Sequence, residues 1–131
     1  MDALFYAGYC TDEETEEMIH YLFEKYSYLC DPHTAVAIKV YDDYRKNTGD
    51  TAKTIIASTA SPYKFPSTVL KAIKGFSTDD EFAAAKKLEQ CSNLKMPQSL
   101  RDLMKKEVRF SGSFSKEEIE NLVKDCIGGE N

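Results

Sequence analysis

Hydroxyl side chains cluster around one predicted strand-to-helix connection. They belong to Ser58, Thr59, Ser61 and Thr68. Hydroxyls can bind an anion or a ring nitrogen, and they can equally hydrogen-bond the backbone of the turn itself. The carboxyl end of a strand is where α/β proteins usually bind ligands. Spacing alone favours a structural role in the turn and leaves a binding role open.

Two further side chains are candidates for a polar site. His33 stands at the start of a predicted helix, where the positive end of the helix dipole disfavours the imidazolium form. We therefore expect a neutral ring that can both donate and accept. Lys64 lies between Tyr63 and Phe65, and a lysine with a lowered pKa in such surroundings can act as an amine nucleophile. The simpler interpretations are a surface or packing role for His33, and for Lys64 either an apolar contact along its stem with the charge in solvent or a contact with the backbone.

Other classes of site find little support in the sequence. Neither of the glycine-rich nucleotide-binding patterns is present, and we identify no serine nucleophile with His and Asp partners. The cysteines lack the C-x₂₋₄-C spacing of a zinc site, so we predict buried or half-buried free thiols in a reducing cytoplasm and no metal. They are Cys10, Cys30, Cys91 and Cys126.

Length and charge limit the possible functions. A chain of 131 residues is long enough for one domain, which we place at residues 1–131. The net charge of −5 argues against nucleic acid as a partner, since phosphate backbones require concentrated Lys and Arg. No apolar run approaches the roughly 20 residues of a membrane span, and the N-terminus lacks the pattern of a signal peptide. We therefore expect a cytoplasmic protein.

Apolar periodicity and capping residues predict about six helices. The predicted helix starts are at residues 11–14, 31–32, 66, 77–80, 97 and 115–118. Residues 54–57 are rich in β-branched and apolar side chains, and they predict a short strand covered on both faces. Residues 107–110 are a weak second candidate. Because a lone strand cannot satisfy its own backbone, its neighbours must come from another segment or a second copy.

Several segments resemble one enzyme family, threonine synthase. The most specific are residues 31–35, Asp-Pro-His-Thr-Ala, and residues 58–65, Ser-Thr-Ala-Ser-Pro-Tyr-Lys-Phe. Residues 5–9, 11–14, 96–100 and 103–109 also fit the pattern. The resemblance covers nearly the whole chain and falls at the C-terminal end of that enzyme.

This resemblance implies a fold and a reaction. The fold is an α/β, predominantly helical fragment of a fold-type II pyridoxal-phosphate enzyme. The reaction converts O-phosphohomoserine and water to threonine and phosphate, the carbon–oxygen lyase step of threonine biosynthesis. Thr59 matches the hydroxyl that faces the pyridine nitrogen, with Ser58 and Ser61 supporting the turn. His33, Thr34 and Lys64 are possible pocket-lining residues.

The resemblance also implies that the reactive centre lies elsewhere. The Schiff-base lysine and the phosphate-binding loop of the family lie upstream of the matched region, and Lys64 is not the cofactor lysine. We therefore expect no catalytic residue in this chain, and neither activity nor pyridoxal phosphate binding from it alone. The expected partner is the missing N-terminal part, or a second copy bound through exposed apolar surface.

Two other functions remain as alternatives. The chain could be a stand-alone helical module that binds a protein partner through its apolar faces. It could also be a small phosphate-binding enzyme that uses His33 and the turn formed by Ser58, Thr59 and Ser61. Light scattering addresses the first alternative, and assays of phosphate release from phosphomonoesters address the second.

Overall fold

The computed structural model describes residues 4–109 and 111–128. Its first two helices begin at the predicted caps. Helix α1 (Asp12–Tyr26) follows Thr11, whose hydroxyl accepts from the Glu14 amide while the Glu14 carboxylate accepts from the Thr11 amide. Helix α2 (Pro32–Thr48) follows Asp31, whose carboxylate accepts from two amides of the first turn. Both helix starts are therefore confirmed, because each depends on hydrogen bonds between near neighbours.

Four further helices complete the described chain. After a short 3₁₀ turn at Pro62–Lys64, they are α3 (Pro66–Lys74), α4 (Glu81–Cys91), α5 (Gln98–Leu103) and α6 (Ile119–Gly128). The prediction of about six helices is confirmed for the described residues. Within these ranges, no helix is both long and apolar enough to cross a membrane.

The capping box predicted for the last helix is only half formed. The Ser115 amide donates to the Glu118 carboxylate, but the Glu118 amide donates to the Ser115 carbonyl and not to its hydroxyl. The helix consequently begins at Ile119, one turn later than a full box at Ser115 would start it. No residue of α6 is buried, so tertiary packing adds little to fix this end.

The predicted strands are not formed. Residues 4–109 and 111–128 contain no strand, and residues 54–57 are irregular. Ile55 is 97% exposed, so the expectation of a strand covered on both faces is wrong for this structure. The physical reason is that no neighbouring strand takes up the backbone groups of this segment. Residues 107–109 are also irregular, and Phe110 lies outside the described residues.

The core lies where α1, α3 and α4 meet. Helix α1 packs against α2 and α3, and α3 packs against α4. The buried side chains of these three helices include Ile19, Leu22, Val69, Ile73, Ala85 and Leu88. Helix α2 buries only Thr34 and Ala35, both in its first turn. The rest of its apolar stripe is half-buried and remains available to form a groove.

Candidate functional site

An open groove runs along the exposed face of α2. Its volume is about 640 Å³. Helix α2 forms the floor, and the irregular segments at residues 6–8 and 54–57 form the two walls. The side chains that α2 contributes are His33, Val36, Ala37, Val40, Tyr41 and Tyr44. The groove is therefore mainly apolar, with one imidazole at the end nearest the N-terminus of α2.

The N-terminal wall depends on close backbone approach. A Cβ atom added at Gly8 would lie 2.8 Å from Cγ1 of Val40, so only glycine fits without displacing α2 side chains. Beside it, the Tyr6 ring contacts the Tyr44 ring edge-on at 5.0 Å between centroids. These contacts hold residues 6–8 against the helix and shape one side of the groove.

A fully buried carboxylate organises the start of α2. Asp31 is 0% exposed. Its Oδ1 accepts from the backbone amides of His33 at 3.0 Å and Thr34 at 3.4 Å, and Nδ1 of His33 lies 3.2 Å from the same oxygen. Its Oδ2 accepts from the Thr34 hydroxyl at 2.5 Å. Burial of a carboxylate without such partners is costly, and these bonds compensate for it.

The same cluster reaches across to the hydroxyl-bearing bend. The hydroxyl oxygens of Thr34 and Ser58 lie 3.2 Å apart, although the two residues are 24 positions apart in sequence. A threonine hydroxyl has one proton, and that proton is directed to Asp31. The Ser58 hydroxyl must therefore supply the proton of the second bond. The result is a chain of bonds from Ser58 through Thr34 to Asp31.

The other hydroxyls of the bend have different surroundings. Ser61 accepts from the Tyr63 amide at 3.3 Å and so caps the 3₁₀ turn, as the structural interpretation of the turn predicts. Thr59 and Thr68 are exposed. Among the described residues, the Thr59 hydroxyl has no hydrogen-bond partner. Of the four hydroxyls around the bend, those of Thr59 and Thr68 are the two without a partner in the described part of the chain, and Thr59 directly follows the anchored Ser58.

His33 and Lys64 differ in how firmly they are held. The His33 ring is bonded to Asp31 on one side and lies 5.0 Å from the Phe65 ring, tilted by 51°. Its side chain is nevertheless 63% exposed. Lys64 is exposed, and its ammonium lies 5.6 Å from the Phe65 ring centroid, a cation–π contact. His33 lines the groove, whereas the Lys64 contact is one that a surface lysine commonly makes.

A buried thiol lies next to this cluster and is not suited to nucleophilic chemistry. Cys30 is 1% exposed, and burial, together with the negative charge of Asp31, raises its pKa to about 11. It is therefore a thiol and not a thiolate at neutral pH. Cys126 is exposed, so the prediction of buried or half-buried cysteines is wrong for that residue. Among residues 4–109 and 111–128, no three His, Cys, Asp or Glu side chains converge as metal ligands do.

Sequence reasoning missed the central part played by Asp31. An aspartate before Pro32 is a sufficient helix cap, and nothing local indicates that its side chain is buried. The available signal was Thr34, a hydroxyl three residues after an N-cap carboxylate. Its bond to Ser58 depends on how α2 and the bend approach each other, which only the folded chain determines.

Together these features define a predominantly helical domain with a hydroxyl-bearing bend beside an open groove. A family model described as "Threonine synthase, C-terminal" matches residues 34–127. Because that match covers well over half of the chain, the chain belongs to the threonine synthase C-terminal family. The resemblance drawn from the sequence motifs is thereby confirmed.

The matched range includes most of the candidate site. It begins at Thr34 and contains the bend with Ser58, Thr59 and Ser61, as well as Lys64. Asp31, His33 and the N-terminal wall of the groove lie before it. The assignment of Thr59, Ser58 and Ser61 to cofactor binding, and of His33, Thr34 and Lys64 to pocket lining, stays a prediction.

Proposed function

We propose that this chain is the C-terminal segment of a threonine synthase and takes part in converting O-phosphohomoserine and water to threonine and phosphate. The observation that supports this function is the family match over residues 34–127, which includes the whole hydroxyl-bearing bend. The groove beside the bend supplies one wall of a ligand site. The remaining walls are formed, in this proposal, by the part of the enzyme that lies upstream of the region matched by this chain.

Pyridoxal phosphate is the cofactor of this family in general, and the bend fits one of its contacts. When bound, the cofactor supplies the stabilisation of a substrate carbanion. Thr59 has an exposed hydroxyl that is unpaired among the described residues, which suits a bond to the ring nitrogen. Ser58, the residue directly before Thr59, is anchored through Thr34, and Ser61 caps the 3₁₀ turn that follows Thr59. A neutral hydroxyl partner leaves the ring nitrogen less firmly protonated than a carboxylate does.

We infer that the isolated chain is inactive and does not form an imine with the cofactor. The lysine nearest to the bend in sequence is the exposed Lys64, whose ammonium lies over the Phe65 ring. One hydroxyl contact orients a ring but does not hold it in place. Mixing the purified chain with pyridoxal phosphate should therefore give no imine absorption band that survives desalting.

Exposed apolar side chains beside the groove favour the binding of another polypeptide there. Ile55 in one wall is 97% exposed, and Tyr9, just beyond the other wall, is 87% exposed. Within the described ranges the backbone of residues 54–57 has no hydrogen-bond partner, and an exposed segment of this kind is suited to pairing with a strand of another polypeptide. We propose that the upstream part of the enzyme covers it, and that without that part the chain self-associates through the same surface.

Complementation tests the proposed function directly. The upstream polypeptide of a threonine synthase is coexpressed with this chain, and threonine and phosphate production from O-phosphohomoserine is measured. We expect activity only when both parts are present. Thr59→Val should lower that activity about tenfold or more, while Thr59→Ser, which keeps the hydroxyl, should retain most of it. Activity of the chain alone, or none from the pair, would contradict the proposal.

The proposed docking surface has its own test. Ile55→Lys places a charge in the exposed wall, and we expect it to weaken both self-association and binding of the upstream polypeptide. Thr51→Lys adds the same charge at an exposed position outside the groove and should change neither. Light scattering and analytical ultracentrifugation measure both effects. Equal behaviour of the two variants would argue against docking at residues 54–57.

A further inference from the structure

We propose that His33 is an acid–base group of the groove and that Asp31 is the residue that positions it. The inference deepens the proposed function and rests on it for the identity of the reaction, in which one water molecule is consumed. His33 lies outside the matched range of the family model, so its role is argued from the geometry of this chain.

The hydrogen bond to Asp31 determines which nitrogen of His33 carries the proton. Nδ1 lies 3.2 Å from Oδ1 of Asp31. An ionised carboxylate can only accept, so Nδ1 must donate. In the neutral ring, Nε2 then holds a lone pair and can accept a proton. Since His33 lines the groove, this basic nitrogen belongs to a ring that a groove ligand can reach.

The imidazole is held more firmly than a helix cap requires. Capping α2 needs only the bonds from the backbone amides to Asp31, and those are present. Two further bonds, from the His33 ring and the Thr34 hydroxyl, fix the same carboxylate, and Phe65 lies 5.0 Å from the ring. His33 is thus oriented by a fully buried anion on one side and an aromatic ring nearby. A catalytic base needs this kind of orientation.

The other histidine of the chain provides a comparison for His33. His20 lies on the exposed side of α1, and its Nδ1 lies 3.1 Å from the carbonyl oxygen of Ala72. No carboxylate is bonded to it within the described residues. His20 consequently serves as an internal control, since the chain has only two histidines.

The proposed step is a single proton transfer. Nε2 of His33 accepts a proton from the attacking water, so an O–H bond breaks, an N–H bond forms, and the O–H electron pair stays on the oxygen. Over the whole reaction that oxygen becomes bonded to the substrate carbon chain, and the substrate's C–O bond to phosphate breaks, with its electron pair leaving on the phosphate group. The imidazolium formed is stabilised by the negative charge of Asp31. Release of that proton from Nε2 to solvent restores the neutral ring, so protons and charge balance over the cycle.

Nitrogen NMR on the chain alone tests the pairing. In a ¹⁵N-histidine-labelled His20→Gln variant only His33 is observed, and we expect its neutral ring to carry the proton on Nδ1. Asp31→Asn still caps α2, but its amide oxygen is a weaker acceptor, so the Nδ1–H population should fall about twofold or more. If the neutral ring carries its proton on Nε2 while Asp31 is intact, the proposal is overturned, whatever the Asp31 variant shows.

Kinetics of the complemented enzyme test the role. His33→Asn should lower kcat by about 10²-fold with little change in KM, and Asp31→Asn by about tenfold. His20→Gln should leave both unchanged. An unaltered kcat in His33→Asn would overturn the inference while leaving the proposed function intact. If the unmodified pair of polypeptides shows no activity, the proposed function fails, and the position of the ring proton still decides whether the Asp31–His33 pair exists.

Discussion

At the scale of single residues, Asp31 connects three parts of the molecule. Its carboxylate caps α2, orients the His33 ring and accepts a hydrogen bond from the Thr34 hydroxyl. Through Thr34 it also fixes Ser58 in the bend. Because the carboxylate is fully buried, each of these bonds also compensates for its desolvation. A change in any one partner is therefore expected to affect the others.

Replacing the hydroxyl of Thr34 tests this coupling. Thr34→Val preserves shape but leaves one oxygen of Asp31 without its donor, which should lower the free energy of unfolding by about 1–3 kcal/mol. Thr34→Ser keeps the hydroxyl and should lose less. Urea unfolding of both variants measures the difference. Equal stability of the Val and Ser variants would show that the Thr34 hydroxyl contributes nothing.

The buried thiol of Cys30 makes stability depend on alkaline pH. Its pKa rises from 9.0 to about 11 on folding, chiefly because the side chain is desolvated. Below pH 9.0 both states hold the proton, and between pH 9.0 and about 11 only the folded state does. The free energy of unfolding should therefore fall across this interval, by roughly 2–3 kcal/mol from this group.

The Cys30 contribution is separated from other titrations by a variant. Cys30→Ala should unfold with a shallower decline between the same two pH values, since the tyrosines and lysines remain unchanged. Chemical denaturation at stepped pH measures both slopes. Parallel curves for the parent and the Ala variant would mean that the Cys30 thiol is not the titrating group.

At the scale of elements, several of the helices end at a residue in the left-handed backbone conformation. Helices α2 and α3 both end at a glycine in the left-handed region, Gly49 with φ 70° and Gly75 with φ 74°. Residues with a Cβ rarely adopt this conformation, so glycine at these positions stops the helix at low cost. The stop after α2 sets where residues 50–57 turn back to form a wall of the groove.

The Gly75 position isolates this backbone effect. A Cβ added there would meet no atom within 4 Å, so Gly75→Ala should be destabilised only by its positive φ, by about 1 kcal/mol. Gly75→Asn should be affected less, because asparagine tolerates the left-handed region. Thermal and urea unfolding provide the measurement. An Ala variant as stable as the parent would mean that α3 ends in another way.

At the scale of the whole molecule, stability is unevenly distributed. Helices α1, α3 and α4 hold most of the buried residues, whereas α6 has none and its apolar side chains include the half-exposed Val123. The groove lies on the opposite, less buried side of α2. We therefore expect the core to remain folded when α6 or the groove walls are perturbed.

Two truncations compare these regions. Leu88→Ala removes a fully buried side chain of α4 and should lower the free energy of unfolding by about 2–5 kcal/mol. Val123→Ala removes apolar atoms from α6 and should change it by less than about 0.5 kcal/mol. Equilibrium urea unfolding followed by circular dichroism measures both. A large effect at Val123 would reveal packing of α6 that the described contacts do not include.

Local sequence determined the helices of this protein. The caps at Thr11 and Asp31, and the stops at Gly49 and Gly75, involve hydrogen bonds and backbone angles within a few residues. Such signals can be read without knowing the fold. The motif resemblance was equally local, and it predicted the family that the match over residues 34–127 shows.

The tertiary structure decided the features that join distant segments. Residues 54–57 have the composition of a strand, yet a strand also needs a neighbour, and none lies beside them in the described chain. The burial of Asp31 and the bond between Thr34 and Ser58 depend on how α2 meets the bend. Composition and spacing specify which groups can hydrogen-bond, but only the folded chain determines which of them come within reach of one another.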